Sequence, residues 1–215
     1  MIRTYVVDMY HNDQVTSFAE AGQAGIVGII HKASTGAGGK DPRYAERKAA
    51  AYQAGLLWGA YHWGTAADID AQVANFLSVV NPAGPAGGLD GVLVALDFER
   101  TYLDGSSEDT MSLDQARQFV SKLDRILGRN VVIYGGNLIK SGLGDTVDPF
   151  WGAHRLWLAE YTEPPPRWQA SWQGPWLWQY TGSGTCPGIP GDSQGRVDCN
   201  TFLGDVSAQV SQWAS

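Results

Sequence analysis

The chain has 215 residues, a formal net charge of −7 and a hydrophobic content of 44%. That size suits one α/β domain of barrel dimensions, and the acidic balance argues against nucleic acid and against an anionic membrane surface. No apolar run approaches the length of about eighteen residues that a bilayer-spanning helix needs.

Residues 3–9 read as a strand in which Tyr5, Val6 and Val7 lead to Asp8 at the C-terminal tip. Asn12 and Asp13 already supply turn chemistry there, so Asp8 is not needed as a cap. Residues 14–24 pattern as a short amphipathic helix stopped by Gly25. A buried strand follows at 26–31, with Lys32-Ala33-Ser34-Thr35-Gly36 as its exit. Gly38-Gly39-Lys40 lacks the spacing of a phosphate loop and reads as a flexible loop. Asp41-Pro42 starts a helix, cap then proline, which ends near Gly55. Residues 56–62 form a third strand, exiting through Tyr61-His62-Trp63, and a helix runs from Asp68 to about Val80. The Pro/Gly-rich stretch 81–88 is a loop within the same rhythm, because a strand comes next.

That strand is Val92-Leu93-Val94-Ala95-Leu96-Asp97-Phe98-Glu99, an apolar run ending in two carboxylates. Such a run suits a strand buried on both faces, as in a parallel sheet covered by helices. Side chains alternate, so Asp97 and Glu99 point to one side, roughly 6–7 Å apart along the strand, and Phe98 to the other. Two acids that close cannot both ionise freely, and a proton donor beside a carboxylate is equipment for cleaving a glycosidic bond. Taken alone, the Asp-x-Glu tip reads more simply as a strand ending in solvated acids.

A polar loop then leads to a helix capped by Ser112 and running through Leu127. Residues 131–134 form a fifth strand and 137–143 a short helix. Strands at 156–159, 176–180 and 196–202 complete a set of eight, and a helical tail covers 204–213. The first five strands are separated by helix-sized gaps. The last three are not, since Pro164-Pro165-Pro166 and the Gly/Pro loop at 182–195 leave little room for helices. The pattern predicts an α/β fold: a single modified TIM-like barrel, (β/α)5(β)3, spanning residues 1–215. Barrel sites lie at the C-terminal strand ends. Asp8, His62, Asp97, Glu99, Tyr134, Glu160, Gln179 and Asp198 all fall at or near such ends.

Nine Trp and nine Tyr are more than a core needs, and aromatic faces stack on sugars, although core packing accounts for most of them. His62 suits either a pocket wall or a packed imidazole, and His11, His31 and His154 lack metal-ligand spacing. Cys186 and Cys199 flank the Gly/Pro loop; they either bridge it, which is worth about 3 kcal/mol in the chain-entropy model, or stay separate thiols. With two cysteines and no Cys-x-x-Cys, neither a zinc site nor a cofactor is expected. The N-terminus lacks the features of a signal peptide, so the chain is expected either to leave the cell by another route or to start after a removed leader.

Several segments together resemble the glycoside hydrolase family 25 lysozymes, the Chalaropsis type of N-acetylmuramidase. They are Val7-Asp8-Met9-Tyr10-His11-Asn12, His31-Lys32-Ala33-Ser34-Thr35-Gly36 and Asp41-Pro42-Arg43-Tyr44. Next come the stretch from Ala54-Gly55 to Tyr61-His62-Trp63, and Leu96-Asp97-Phe98-Glu99. The last are Trp157-Leu158-Ala159-Glu160-Tyr161, Trp178-Gln179-Tyr180-Thr181 and Val197-Asp198-Cys199-Asn200-Thr201-Phe202. Each is a weak signal alone; their order and spacing are specific. The resemblance implies the same five-helix, eight-strand barrel. It also implies hydrolysis of the β-1,4 bond between N-acetylmuramic acid and N-acetylglucosamine in peptidoglycan. The family's general acid maps to Glu99 and its companion carboxylates to Asp8, Asp97 and Asp198. The chain departs from the family at Thr35, where a rim acid is usual, and at Tyr10, where a serine is usual.

On this reading Glu99 protonates the leaving oxygen. Asp97 stays ionised and steadies either a developing cation or the sugar's own 2-acetamido group. Asp8 and Asp198 tune charge or position water. Tyr61, Trp63, Tyr134, Trp157 and Gln179 are candidate sugar contacts. The partner is the peptidoglycan glycan strand, met by a monomer at the cell wall. A hydrolase of another N-acetylhexosamine polymer, such as chitin, and a non-catalytic carbohydrate-binding barrel are the alternatives.

Overall fold

In the computed structural model, which describes residues 2–82, 84, 89–102 and 108–215, the chain opens with β1 (Val6–Met9), α1 (Phe18–Gln23), β2 (Gly28–Thr35) and β3 (Gly39–Lys40). It continues with α2 (Tyr44–Gln53), β4 (Leu57–Trp63), α3 (Ile69–Val80), β5 (Val92–Asp97) and α4 (Leu113–Leu127). The remainder is β6 (Val132–Gly135), α5 (Asn137–Leu143), α6 (Pro149–Gly152), β7 (Leu156–Ala159), β8 (Leu177–Gly184), β9 (Val197–Thr201) and α7 (Val206–Ser211). Of the loop expected at 81–88, residues 83 and 85–88 lie outside the described residues, as do 103–107 of the polar loop before α4.

β1 pairs parallel with β2 on one side and antiparallel with β9 on the other, and this double pairing closes the sheet. Around the ring β2, β4, β5, β6, β7 and β8 follow one another in parallel register. β9 runs against both of its neighbours. β3 lies outside the ring, hairpinned onto the end of β2. The expected (β/α)5(β)3 barrel is what forms: helices follow the first five staves, and loops join the last three.

Strand parity explains why one chain builds two cores. Val6, Ile30, Leu93, Ala95, Val132 and Leu177 point into the barrel and pack with Tyr61, Tyr134 and Trp157. The residues that alternate with them, among them Val7, Ile29, Trp58, Val94, Ile133 and Trp178, point outward to the helices, where Phe76, Phe119 and Val120 meet them. α4 has a complete capping box, with Ser112 and Gln115 exchanging side-chain-to-backbone bonds, and stops at Gly128, whose φ of 67° suits the residue without a Cβ.

Several boundaries differ from the sequence expectation for physical reasons. α1 begins after Ser17, which caps Glu20 N, because the Gln14 amide is already taken by Gly191 O at 2.7 Å. Asp41 does not cap a helix that starts at Pro42: its carboxylate accepts from His11 N and Arg43 N, making it a turn anchor, and α2 begins at Tyr44. β2 runs on through Thr35 instead of ending at His31. Gly39-Lys40 is a strand and not a free loop, because it pairs with Ser34-Thr35 and Asn75 Nδ2 donates to Gly36 O at 2.9 Å and Gly39 O at 3.0 Å. β5 stops at Asp97, although Phe98 N still bonds Tyr134 O at 2.9 Å, so Glu99 lies just past the strand. Asp198 sits at the start of β9, not at a C-terminal strand end; since that strand is reversed, its start lies at the same mouth as the other strands' ends.

The opposite end of the barrel is closed by Trp213, which follows α7. Its indole lies against Gly28, where a Cβ would come within 2.7 Å of the ring, and its Nε1 donates to Trp58 O at 2.8 Å. Trp176 and Phe202 pack beside it. Replacing Trp213 with Ala removes this plug and is expected to cost about 3–5 kcal/mol of stability. Urea unfolding of the variant would check this, and an unchanged midpoint would mean that the floor packs without it.

Candidate active site

The inward parity that fills the barrel with Val6, Ala95 and Val132 places Asp8, Asp97 and Tyr134 one step further toward the mouth, two residues on in each strand. Register aligns them across the sheet: Asp8 is opposite Asp198, Trp63 is opposite Asp97, and Asp97 is opposite Tyr134. Ile30 and Leu177 likewise lead to Lys32 and Gln179, and Asp198 leads to Asn200.

A hydrogen-bond network fixes Asp8. Gln179 Nε2 donates to both of its oxygens, at 2.9 and 3.0 Å, and Asn200 Nδ2 donates to Oδ1 at 2.7 Å. Asn200 Oδ1 accepts from Trp157 Nε1 at 2.6 Å. Gln179 Oε1 accepts from the hydroxyls of Tyr134, at 2.9 Å, and Tyr161, at 2.8 Å. Asp97 is equally buried, yet its Oδ1 has no partner among the described residues. Burying a carboxylate oxygen without a donor is costly, so this atom awaits one.

Electrostatics follows from burial plus like charge. Burial, then the charge of Asp198, raises Asp8 well above the usual carboxylate range, and the amides of Asn200 and Gln179 pull it back. Burial, then Glu99, does the same to Asp97, with Lys32 opposing. Glu99 is pushed up to about 7 by burial first and Asp198 second, again against Lys32. Asp198 therefore adds to the Asp97–Glu99 repulsion that strand spacing suggests. Asp198 rises to about 6 by burial, helped by Asp13 and Asp192. Lys32 is the cation that offsets the cluster; its ammonium lies 4.9 Å from the Tyr10 ring centre and 4.7 Å from that of Trp63.

Glu99 and Tyr134 line a cavity of about 620 Å³ with Arg100, Asn137, Glu160 and Tyr161. Glu160 is held by Lys140. A larger cavity, about 720 Å³, lies outside the barrel wall between α1 and α2. It holds no member of the acid cluster, and its buried Arg47 is spent on Tyr10 O and Asp13 O.

The structure thus brings Asp8, Asp97, Glu99 and Asp198 within electrostatic reach of one another at one mouth, with Tyr61 and Tyr134 exposed to the same charges. Trp63 stands at the rim, its Nε1 donating to Thr101 Oγ1 at 2.7 Å. Trp157 and Gln179 are almost wholly buried at 1% exposure and reach the site through Asn200 and Asp8. His62 is not at the mouth: it points outward, bonds Ser34 and Gln72, and stacks on Phe119 at 4.8 Å. Cys186 and Cys199 are free buried thiols, so of the two expectations the unbridged one holds. Among the described residues no group of three His, Cys, Asp or Glu side chains is placed to hold a metal ion. Lys32, Asn200 and Tyr161 escaped the sequence reading. Parity with Ile30 and Asp198 would have found the first two; nothing local marks Tyr161, which approaches Gln179 from beyond the end of β7.

The shifted Glu99 has a stability consequence. Unfolded, it titrates near its ordinary value of 4.5; folded, it keeps its proton to about 7. The folded state binds the extra proton in between, so this group's contribution is full at low pH and is lost as pH rises to about 7. Glu99→Gln cannot lose that proton. Its melting temperature, measured against wild type, is expected to gain ground between about pH 4 and about pH 8; a constant difference would show that Glu99 is not shifted.

Comparison with known proteins places this geometry in context. The family described as Glycosyl hydrolases family 25 matches residues 7–189. Lysozyme M1 of Streptomyces globisporus is 27% identical over 94% of this chain and 68% of its own length. Among solved structures, a muramidase from Acremonium alcalophilum is 26% identical with a TM-score of 0.77, over 97% of this chain and 98% of its own. A bacterial lysozyme from Streptomyces coelicolor, at 24% identity, shares the fold with a TM-score of 0.80 over 97% of this chain and 95% of its own.

Proposed function

The chain belongs to glycosyl hydrolase family 25, and from that premise we propose that its barrel mouth cleaves the glycan strand of peptidoglycan with Glu99 as the general acid. The enzyme is a glycosidase of the lysozyme type, and its substrate is the cell wall. The bond attacked is the β-1,4 linkage between N-acetylmuramic acid and N-acetylglucosamine. Residues 1–215 act as one catalytic barrel, as a monomer, outside the membrane where that polymer lies.

One observation carries the assignment of roles. Of the four acids, Glu99 is the one that borders the open cavity, and it is held near 7. A carboxylic acid that keeps its proton near neutrality and faces solvent-filled space is suited to protonating a leaving oxygen. Asp97 is deeper, and its free Oδ1 lacks a donor. The N–H of a 2-acetamido group is such a donor. Its hydrogen bond favours the ionised carboxylate, and it turns the acetamido oxygen toward the anomeric carbon. As the glycosidic bond breaks, Glu99 gives its proton to the departing sugar and that oxygen closes on the carbon. Water then opens the ring, losing a proton to Glu99. This departs from the scheme in which a second carboxylate attacks directly. Burial and the charge of Asp198 keep Glu99 protonated, and Asp8 and Asp198 together stabilise positive charge as it develops. Tyr61, Tyr134 and Trp63 are the sugar-facing surfaces; Trp157 supports Asn200 behind them.

Replacing Glu99 with Gln keeps the shape and removes the proton. Turnover of purified peptidoglycan is expected to fall by about 10²–10⁴-fold with the fold intact. In the wild type, kcat/KM should fall as pH rises through about 7, as Glu99 loses its proton. Mass spectrometry of the fragments should find muramic-acid reducing ends. Glucosamine reducing ends, release from chitin oligomers in preference to cell wall, or undiminished turnover by Glu99→Gln would each overturn the assignment.

A further inference from the structure

Gln179 was expected to touch sugar, but all of its polar atoms are in use inside the protein. The directions of those bonds can be worked out from one fixed donor. Trp157 Nε1 only donates, so the Asn200 atom facing it is the oxygen, and Asn200 Nδ2 must donate to Asp8. An ionised Asp8 only accepts, so Gln179 turns Nε2 toward it. Gln179 Oε1 is then left facing two tyrosine hydroxyls, and both must donate to it. A hydroxyl has a single hydrogen. Tyr134 and Tyr161 have therefore spent theirs, and they line the cavity beside Glu99 with lone pairs alone.

We propose that Gln179 is a positioning residue that ties the charge of Asp8 to the direction of the Tyr134 and Tyr161 hydroxyls, so that both present only acceptors to a sugar and select for N–H or O–H donors on it. This rests on reading the mouth as the hexosamine site. The coupling runs both ways. When Asp8 takes a proton on Oδ2 it becomes a donor, the Gln179 amide inverts to receive it, and the amide nitrogen now donates to the tyrosines. Their hydrogens are released toward the cavity, and the wall changes from accepting to donating. No bond other than hydrogen bonds is exchanged, and the only proton taken up is the one on Asp8.

The test compares wild type with Gln179→Glu, Gln179→Leu and Tyr134→Phe. Gln179→Glu keeps an acceptor for the tyrosines but removes the donor to Asp8. Carbon-13 NMR titration of the Asp8 carboxyl in the unliganded enzyme should move upward by about one pH unit or more in both Gln179 variants, and by less in Tyr134→Phe, where Tyr161 still donates to Gln179 Oε1. On soluble peptidoglycan fragments, Gln179→Leu and Tyr134→Phe should each raise KM by about tenfold, and the double variant should add less than about twofold to either, because the two side chains act as one unit. An Asp8 titration unmoved in both Gln179 variants, or KM effects that multiply in the double variant, would overturn the proposal. If the wild type leaves peptidoglycan uncut, the muramidase reading fails by itself, while the Asp8 titration still decides whether the coupling exists.

Discussion

Crowding of negative charge at a buried place is the constraint around which this molecule is built. Asp8, Asp97, Glu99 and Asp198 share one barrel mouth, and each is raised in pKa first by burial. A fold that gathers like charges in low dielectric weakens itself. The surrounding side chains read as the answer to that cost. Three N–H contacts hold Asp8, and Lys32 leans over Tyr10 and Trp63 to face Asp97 and Glu99. Asp97 keeps one oxygen unanswered. Burial first and the repulsion left over second keep a proton on Glu99 where an isolated glutamate would have none.

Charge placement also separates the roles of the acids. Asp8 is enclosed by amides, whereas Glu99 opens on the cavity. Two carboxylates in one site can then hold different protonation states at one pH, as acid–base catalysis needs. Arg47 and His31 show the same economy outside the barrel: His31 Nδ1 faces Lys32 O, its Nε2 faces Arg47, and Arg47 also donates to Tyr10 O.

Much of this was legible in the chain. Continuous apolar runs ending in Asp97 or Tyr134 point to staves and to their tips, and Ser112 marks the start of α4. The bounds of α5 and β7 are likewise where the sequence puts them. Illegible were the features that depend on partners far along the chain. Gln14 is withdrawn from α1 by Gly191, and Asp41 is claimed by His11. The direction of β9 cannot be read from Val197-Asp198-Cys199, yet it decides which end of that strand Asp198 decorates. Gln179 looked like a sugar contact because it lies at a strand end; only the three-dimensional arrangement shows both of its polar atoms already occupied.

The antiparallel seam between β1 and β9 sets Asp8 beside Asp198, so the earliest stave and the latest are stitched together at the reactive centre. A polypeptide still emerging from the ribosome carries Asp97 and Glu99 long before Asp198, which adds to their crowding, has been made. The acid cluster is thus a property of the closed ring.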